Sequence, residues 1–597
     1  YLSELTQGPD GELTMTKTAP LDFSASGGVW IPCAGSLTPW NAHLGSEEYE
    51  PDAATFDADS KATADISDSS ILSFVRYFGV YTSGSGFTPA AARSAGWYPY
   101  SYGYVWEAKV RNGAATPVKH YAMGRLSVEL AYVMPDRRTV YITDDGSNVV
   151  FAKFVADRAD DLSSGELFCG RFTQTSSAGG AASAFRSTVE WVSMGTANSN
   201  EVAAKIKTTK FQDIFETEAL SSSGTCSAGF TAINAGPARG QCLKLKAGME
   251  KLASRFETRR YAAYLGCTSE FNKWEGIAYD AQRRRLYTAL SEVSKGMEDN
   301  RYKDVASTSY DIGGPNAITV AYNPCGCVMQ MDVDAQYSAT TMDALICGVA
   351  ISADADGNTC DLDGIASPDN VAMIPEADTL LIGEDTGRHQ NDVVWAYTLS
   401  NAMLTRIAST PYGSETTSPY WYPNVQNGFS YMTLVVQHPY GESDSDKATE
   451  SASTGTAGWI GVVGPFRSLA RQAPEWHGIP AATGDAKHQV VVANSVVLPN
   501  GLPESVKFMT LARSGQTVGS EVMGRVVDKD MQIVYEQSGD GSKSSTVTVS
   551  NNPDYTSIIH DDGKIYSITQ FESPRPGVVY LSELTQGPDG ELTMTKT

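Results

Sequence analysis

Short runs in which apolar and polar residues alternate recur along most of this 597-residue chain. VWEAKV (105–110), LSVELAYVM (126–134), TVYITDD (139–145), VVFAKFVA (149–156) and GELFCGRF (165–172) are examples, and the same texture resumes from GIAYD (276–280) to WIGVVG (459–464). A period of two over four to eight residues, broken by Asp, Gly or Asn, is the signature of short antiparallel strands. The exception is 196–262, where FQDIFETEAL and LKAGMEKLASRFETRRYAAYLG place apolar residues three and four apart, as a helix requires. Residues 50–96 are rich in Ala, Ser and Asp and read as an irregular insertion with one helix, 175–185 as a loop, and SGDGSKSS (538–545) as a linker. The pattern predicts an all-β propeller of short antiparallel strands carrying a helical insertion around 196–262.

One stretch occurs twice. Residues 1–18 (YLSELTQGPDGELTMTKT) and 580–597 are identical, an offset of 580 − 1 = 579. Each copy alternates around Pro-Asp-Gly, a hairpin signal. A period this long exceeds any solenoid repeat and implies whole repeated domains. The expected organisation is therefore a unit over 1–540 that lacks its own first strands, followed at 541–597 by the start of a next tandem unit.

Composition narrows the function. A net charge of −24 and a pI near 4.7 argue against nucleic acid and anionic membranes as partners, and no apolar run is long enough to span a membrane. Nine cysteines show no CxxC pair and no zinc spacing. They suit disulfides in an oxidising compartment, with Cys226–Cys242 and Cys347–Cys360 as local candidates and at least one thiol left over. Secretion is the localisation this implies.

Candidate chemistry lies in turn-borne clusters of acids, amides and histidines: Glu47–Glu48, Glu129, Asp144–Asp145, Glu275, Asn323, Asp369–Asn370, Glu384–Asp385 with His389 and Asn391, Gln437–His438, and Glu442. Carboxylate and amide oxygens are the ligands that hard cations such as calcium take, although Asp, Asn and Gly are also ordinary turn residues.

In this order the motifs resemble the PhoX family of secreted alkaline phosphatases, especially its algal-type members. The residues that carry the resemblance are CAGSLTPWNAHLGSEEYEPDA (33–53), GRLSVE (124–129), VYITDDG (140–146), KWEGIAYD (273–280), YNPCGCV (322–328), SPDNVAMIP (367–375), GEDTGRHQND (383–392), QHPYGES (437–443) and FESPRPGVVYL (571–581). The last of these looks like the family's amino-terminal part placed at the end. The resemblance implies a propeller whose calcium and iron cluster hydrolyses phosphomonoesters. It points to Glu47, Glu48, Glu129, Asp144, Glu275, Glu384, Asp385 and Gln437 as metal ligands, and to Glu275, Asn370, Arg388 and His438 as catalytic residues. Three departures count against iron and for a relaxed site: Ser46 where relatives carry a cysteine, and Val128 and Gln570 where they carry histidines. Serine is a poor iron ligand, and valine is none. The expectation from these signs is a structural unit in an extracellular filament, its partners being identical neighbouring units. The alternative is an active calcium- and iron-dependent phosphatase.

Overall fold

The computed structural model describes residues 5–7, 12–15, 18–58, 61–426, 428–442, 456–467, 475–497, 501, 503–561, 564–572, 577–586 and 592–596. Antiparallel meanders follow one another at 35–119, 128–198, 274–347, 368–409, 415–513 and 553–586, and form the blades of a β-propeller. Within a blade burial falls off outward. The inner strand Trp274–Asp280 and the second strand Thr139–Asp144, although TVYITDD alternates in sequence, are buried at every position, whereas the outer strand Ala114–Lys119 alternates exposed and covered side chains. An inner strand is covered on both faces by its neighbours and an outer one on a single face, so only the latter needs the alternation.

The inner strands touch in a ring. Gly35–Leu37 lies against Val128–Val133, which meets Trp274–Asp280, then Pro368–Ile374 and Glu415–Thr417. Pro553–Asp561 packs against both Phe429–Gln437 and Gly35–Leu37 and closes the circle. Side chains tie the closure. His43 Nδ1 lies 2.8 Å from Ser557 Oγ, and Thr417 Oγ1 donates to the Asp554 carbonyl at 2.9 Å. The final blade of this ring is thus built from the chain's own residues 553–586. In this chain residues 553–586, which the sequence reading gave to the start of a following unit, lie beside Gly35–Leu37 in the ring.

The repeated stretch makes the same hairpin twice. Leu5, Thr6 and Gln7 face Met15, Thr14 and Leu13, and Leu584, Thr585 and Gln586 face Met594, Thr593 and Leu592. Both copies join the sheet of the last blade, where Thr18–Pro20 pairs with Val578–Gln586. The turns themselves lie outside the described residues.

Several segments differ from their sequence reading. The insertion at 196–262 is mixed. Helices Ser199–Ala203, Phe211–Ile214, Glu250–Phe256 and Thr258–Tyr264 flank a three-stranded sheet of Phe215–Glu218, Thr231–Asn234 and Gly240–Leu245. The 50–96 insertion holds three short helices, Ala53–Asp57, Ser69–Phe74 and Pro89–Ala95, started by Asp52, Asp68 and Thr88 side chains that accept backbone N–H groups. SGDGSKSS is no linker. It turns the hairpin Tyr535–Gln537/Lys543–Val547, which docks on that insertion through Arg76 Nη1 to the Tyr535 carbonyl (3.0 Å) and Gln537 Nε2 to the Thr82 carbonyl (2.8 Å).

Four disulfides, Cys169–Cys267, Cys226–Cys242, Cys325–Cys360 and Cys327–Cys347, leave Cys33 as the free thiol. Cys226–Cys242 matches the local pairing expected. Cys347 pairs with Cys327 across adjacent strands rather than with Cys360. Among the described residues no helix is long and apolar enough to cross a membrane.

Candidate metal centre

Four inner strands begin alike. Each carries an acid at its second position, Glu129, Glu275, Asp369 or Asp554, and each is bulged there. Val128 and Ala131 face Asp144 and Ile142, and Trp274 and Ile277 face Leu290 and Thr288. Pro368 and Val371 face Glu384 and Ile382, and Pro553 and Thr556 face Phe571 and Thr569. In every case one extra residue is squeezed into the inner strand, and such a bulge re-aims the side chain it carries.

The residue that follows the second strand is fixed by the same device. The N–H groups of Asp145, Ser291, Asp385 and Glu572 donate to the carbonyls of Ser127, Lys273, Ser367 and Asn552, just ahead of the inner strands, at 2.8, 3.1, 3.2 and 3.0 Å. All of these strand-start and strand-end positions except Ser291 are acids. Repeated around the ring, the device gathers carboxylates at one end of the propeller. Gly276 lets the blades close up beside it: a Cβ there would sit 2.8 Å from the Asp369 carbonyl oxygen and 2.7 Å from the Val371 nitrogen.

The other blades add Cys33, Glu48 and Glu415. The Cys33 thiol donates to Glu129 Oε2 at 3.1 Å. Donor atoms of Cys33, Glu48 and Glu129 lie within 4.8 Å of one another, as do those of Glu129, Glu275 and Asp369. Lys273 is the ammonium inside the group, 3.1 Å from Asp145 Oδ2 and 3.3 Å from Glu275 Oε1.

So many acids in so little water cannot all ionise unaided. Burial first, then repulsion by neighbouring carboxylates, pushes Glu48, Glu129, Asp369, Glu415 and Asp554 well above the carboxylate range. The same causes bring Glu275 to about 7. The Asp385 charge, then burial, brings Glu442 to about 7. Burial and then Glu129 raise the Cys33 thiol. Asp145 is the contrast: burial works against its charge, but Lys273 holds it below the usual value. Asp145 Oδ1, Asp554 Oδ2 and Asn370 Nδ2 are buried without a hydrogen-bond partner among the described residues. This donor set fits the cations that the resemblance implies, because bound metal replaces the protons that the acids would otherwise carry. Oxygen donors suit calcium, and a thiolate beside carboxylates suits iron.

The structure sorts the residues singled out from sequence. Glu48, Glu129, Glu275 and Asp385 come together in this group. Glu47, Asp144 and Glu384 are engaged elsewhere. Glu47 pairs with Lys119 at 2.7 Å and accepts the N–H groups of Trp30, Gly103 and Tyr104. Asp144 accepts from Nε and Nη2 along one edge of the Arg259 guanidinium and from the N–H groups of Ser127 and Val150. Glu384 accepts from Ala366 N, Val393 N and Trp395 Nε1 and pairs with His389. Their oxygens are bonded within the fold. Gln437 accepts from Asn552 Nδ2 at 3.2 Å, beside Asp554, and His438 Nε2 lies 3.2 Å from Glu415 Oε2. Asn370 Oδ1 accepts from Ser418 N, leaving its amide nitrogen over, and Arg388 reaches Glu292 at 3.4 Å. Asn323 and Asn391 only hold turns, bonding the Gly348 and the Thr410 and Lys487 carbonyls.

Cys33, Glu415, Asp554 and Lys273 belong to the group without having been singled out, and Asp145 and Asp369, named in the turn clusters, join it as well. For Cys33 a signal existed, since it is the one cysteine left after four pairings. Ser46 is no stand-in for a missing thiolate. Its hydroxyl donates to the Ala34 carbonyl at 2.7 Å, and the sulfur beside the acids is that of Cys33. Val128 is simply core, and Gln570 Oε1 meets His43 Nε2 at 3.2 Å.

Comparison with solved structures finds Pseudomonas fluorescens PhoX in complex with vanadate, a transition state analogue, at 17% identity over 74% of this chain and 71% of that one, with a TM-score of 0.43. It also finds a mutant Trypanosoma rangeli sialidase displaying trans-sialidase activity (9% identity, 97% and 59% covered, TM-score 0.29). A putative 6-phosphogluconolactonase from Bacteroides uniformis follows (10%, 68% and 95%, TM-score 0.20). No curated protein matches. The family model described as alkaline phosphatase PhoX, by contrast, matches residues 3–439, most of the chain. On that match the chain belongs to the alkaline phosphatase PhoX family.

Proposed function

We propose that this chain is a metal-dependent phosphomonoesterase. The observation that carries the reading is the ring of buried carboxylates and one thiol with a single lysine among them, since such a group stays charged only around cations. Cys33, Glu48 and Glu129 would hold iron, and Glu129, Glu275, Asp369, Asp385, Glu415 and Asp554 would hold calcium. When bound, these cations supply neutralisation of charge on the oxygens of a phosphoryl group in transfer.

The chain's own groups complete the site. Lys273 favours the charge on Asp145 and anchors Glu275. The Asn370 amide, already anchored through its oxygen, has a free N–H for a phosphoryl oxygen. Arg388 adds a positive charge to the loop that carries Asp385. His438, held by Glu415, is placed to deliver a proton to a departing alkoxide.

A filament role finds no support in the fold or in the family match. Four disulfides favour an oxidising compartment, and secretion is the reading consistent with them.

The test is hydrolysis of 4-nitrophenyl phosphate by protein loaded with calcium and iron, with metal content measured in parallel. Turnover that vanishes on chelation and falls by about 100-fold or more in Glu275→Gln is the expected result. Metal-loaded protein without turnover on any phosphomonoester would overturn the proposal.

A further inference from the structure

The last blade has one place for the duplicated stretch and two copies that share it. Counterparts in the two copies lie 579 residues apart, so Leu5 corresponds to Leu584 and Thr18 to Thr597. Strand Val578–Gln586 runs antiparallel to Lys564–Phe571, with Val578 opposite Phe571 at one end of the ladder and Glu583 opposite Tyr566 at the other. One step further the register calls for Leu584 opposite Ile565, but Ile565 pairs with Leu5. The other side of Val578–Gln586 shows the same seam. Glu583 faces Lys596, and the next residue, Ser582, faces Thr18, with Leu581 and Tyr580 opposite Ala19 and Pro20. Thr18 thus stands at the position that the register assigns to the residue after Lys596. Both ladders pass from one copy to the other without losing a residue.

Where the copies meet, residues face their own duplicates: Leu13 pairs with Leu592 and Thr14 with Thr593, in parallel. In-register parallel pairing of identical residues is the way like segments of separate chains stack. A ladder is held by backbone groups, and the two candidates have one sequence, so nothing in the pairing tells them apart. Only the covalent connection differs. The second copy follows Lys564–Phe571 in the chain, and the first precedes Gly35–Leu37.

We propose that this place in the last blade is a strand-exchange site which either copy can fill, and that the partner it fits is a second copy of this chain, whose spare eighteen residues complete the blade in trans. Strand addition of this kind takes its affinity from main-chain hydrogen bonds and its specificity from the residues in register. The site bears on the metal centre, because Asp554 belongs to the same sheet. It does not depend on the phosphomonoesterase reading.

Prolines placed in the full chain test it, because a proline removes a ladder hydrogen bond and bars the strand that carries it. Thr14→Pro or Thr593→Pro alone is expected to shift the melting temperature little, as the intact copy takes the whole place. Together they should lower it by more than the sum of the two. Additive losses, or one proline as damaging as both, overturn the interchange. For the partner, the double variant is mixed with wild type, which has a copy to spare. A one-to-one complex is expected by light scattering, formed by neither protein alone. The free peptide YLSELTQGPDGELTMTKT should displace it, and the same peptide with proline at its fourteenth position should not. Two monomers in the mixture overturn exchange in trans. Should the double variant not fold, wild type refolded with each labelled peptide decides. Retention of the native peptide alone through gel filtration upholds the site, and retention of neither or of both sinks it.

Discussion

Three adjacent acid pairs, Glu47–Glu48, Asp144–Asp145 and Glu384–Asp385, look interchangeable in sequence and separate completely in the fold. The first member of each is turned into the protein and neutralised there, by Lys119, Arg259 and His389 respectively. The second member joins a ring whose carboxylates raise one another's proton affinity and share one lysine. One set of acids is part of what holds the blades together. The other set works against the fold until cations arrive. Stability and metal chemistry are thus assigned to neighbouring residues, and substitutions should pull them apart.

The largest effect is expected on the neutralised side. Glu47→Gln strands the Lys119 ammonium, which like Glu47 is fully buried. Breaking a buried pair by removing one partner costs about 3–5 kcal/mol, so chemical denaturation should show the midpoint fall by that equivalent. Glu47→Gln/Lys119→Met, which removes both charges, should recover most of the loss. If the double variant is no better than the single one, the pair is not what holds that acid inward.

On the ring side the signs reverse. Glu275→Gln is expected to reduce phosphomonoester turnover by about 100-fold or more, the scale on which loss of a group at a metal centre is felt. The metal-free variant should melt no lower than metal-free wild type, because a crowded carboxylate has become neutral. A clear fall in its melting temperature would place Glu275 with the neutralised acids.

The same contrast explains how far the sequence could be read. Alternation in runs such as TVYITDD and LSVELAYVM made the all-β propeller legible, and turn-borne acids marked the right loops. Choosing between the two acids of a pair was out of reach, because it depends on the extra residue in the inner strand, and a bulge leaves no mark of its own in composition. Asp554 was hidden for another reason. It comes from the far end of the chain, on a strand that packs against Gly35–Leu37, and nothing local to it announces that return. Cys33 was not singled out because the resemblance places the family's cysteine at position 46, and only the fold shows Cys33 reaching Glu129. The long single-letter identity between the two ends points to a chain of units, and within this chain both copies pair in one sheet.

Adding metal should bring the two classes of acid onto the same side. Calcium at about 100 times its dissociation constant is expected to stabilise the wild type by about 2.7 kcal/mol, and a chelator should remove that gain. Asp369→Asn should blunt the response, whereas Arg259→Lys, which touches only the neutralised set, should leave it intact while lowering the baseline. A calcium response of equal size in all three would mean that the ion binds away from the ring.

The smallest effect concerns the joint that brings the two ends of the ring together. His43 stacks on Trp106 with ring centroids 4.9 Å apart and sits between Ser557 and Gln570 of the closing blade. Burial lowers its pKa from 6.5 to about 3, so the folded protein keeps it neutral while the unfolded chain takes up a proton. For a base whose folded value is depressed, the unfolded state binds more protons throughout the window between the two values. Stability from this residue is therefore complete above pH 6.5 and is lost as pH falls toward 3, by at most about 1.4 kcal/mol for each unit. His43→Asn should flatten the acid limb of a melting-temperature profile between pH 6 and 5 on the chelated protein, where the ring has no cations to lose. An acid limb as steep in the variant as in wild type would move the sensitivity from this joint to the carboxylates beside it.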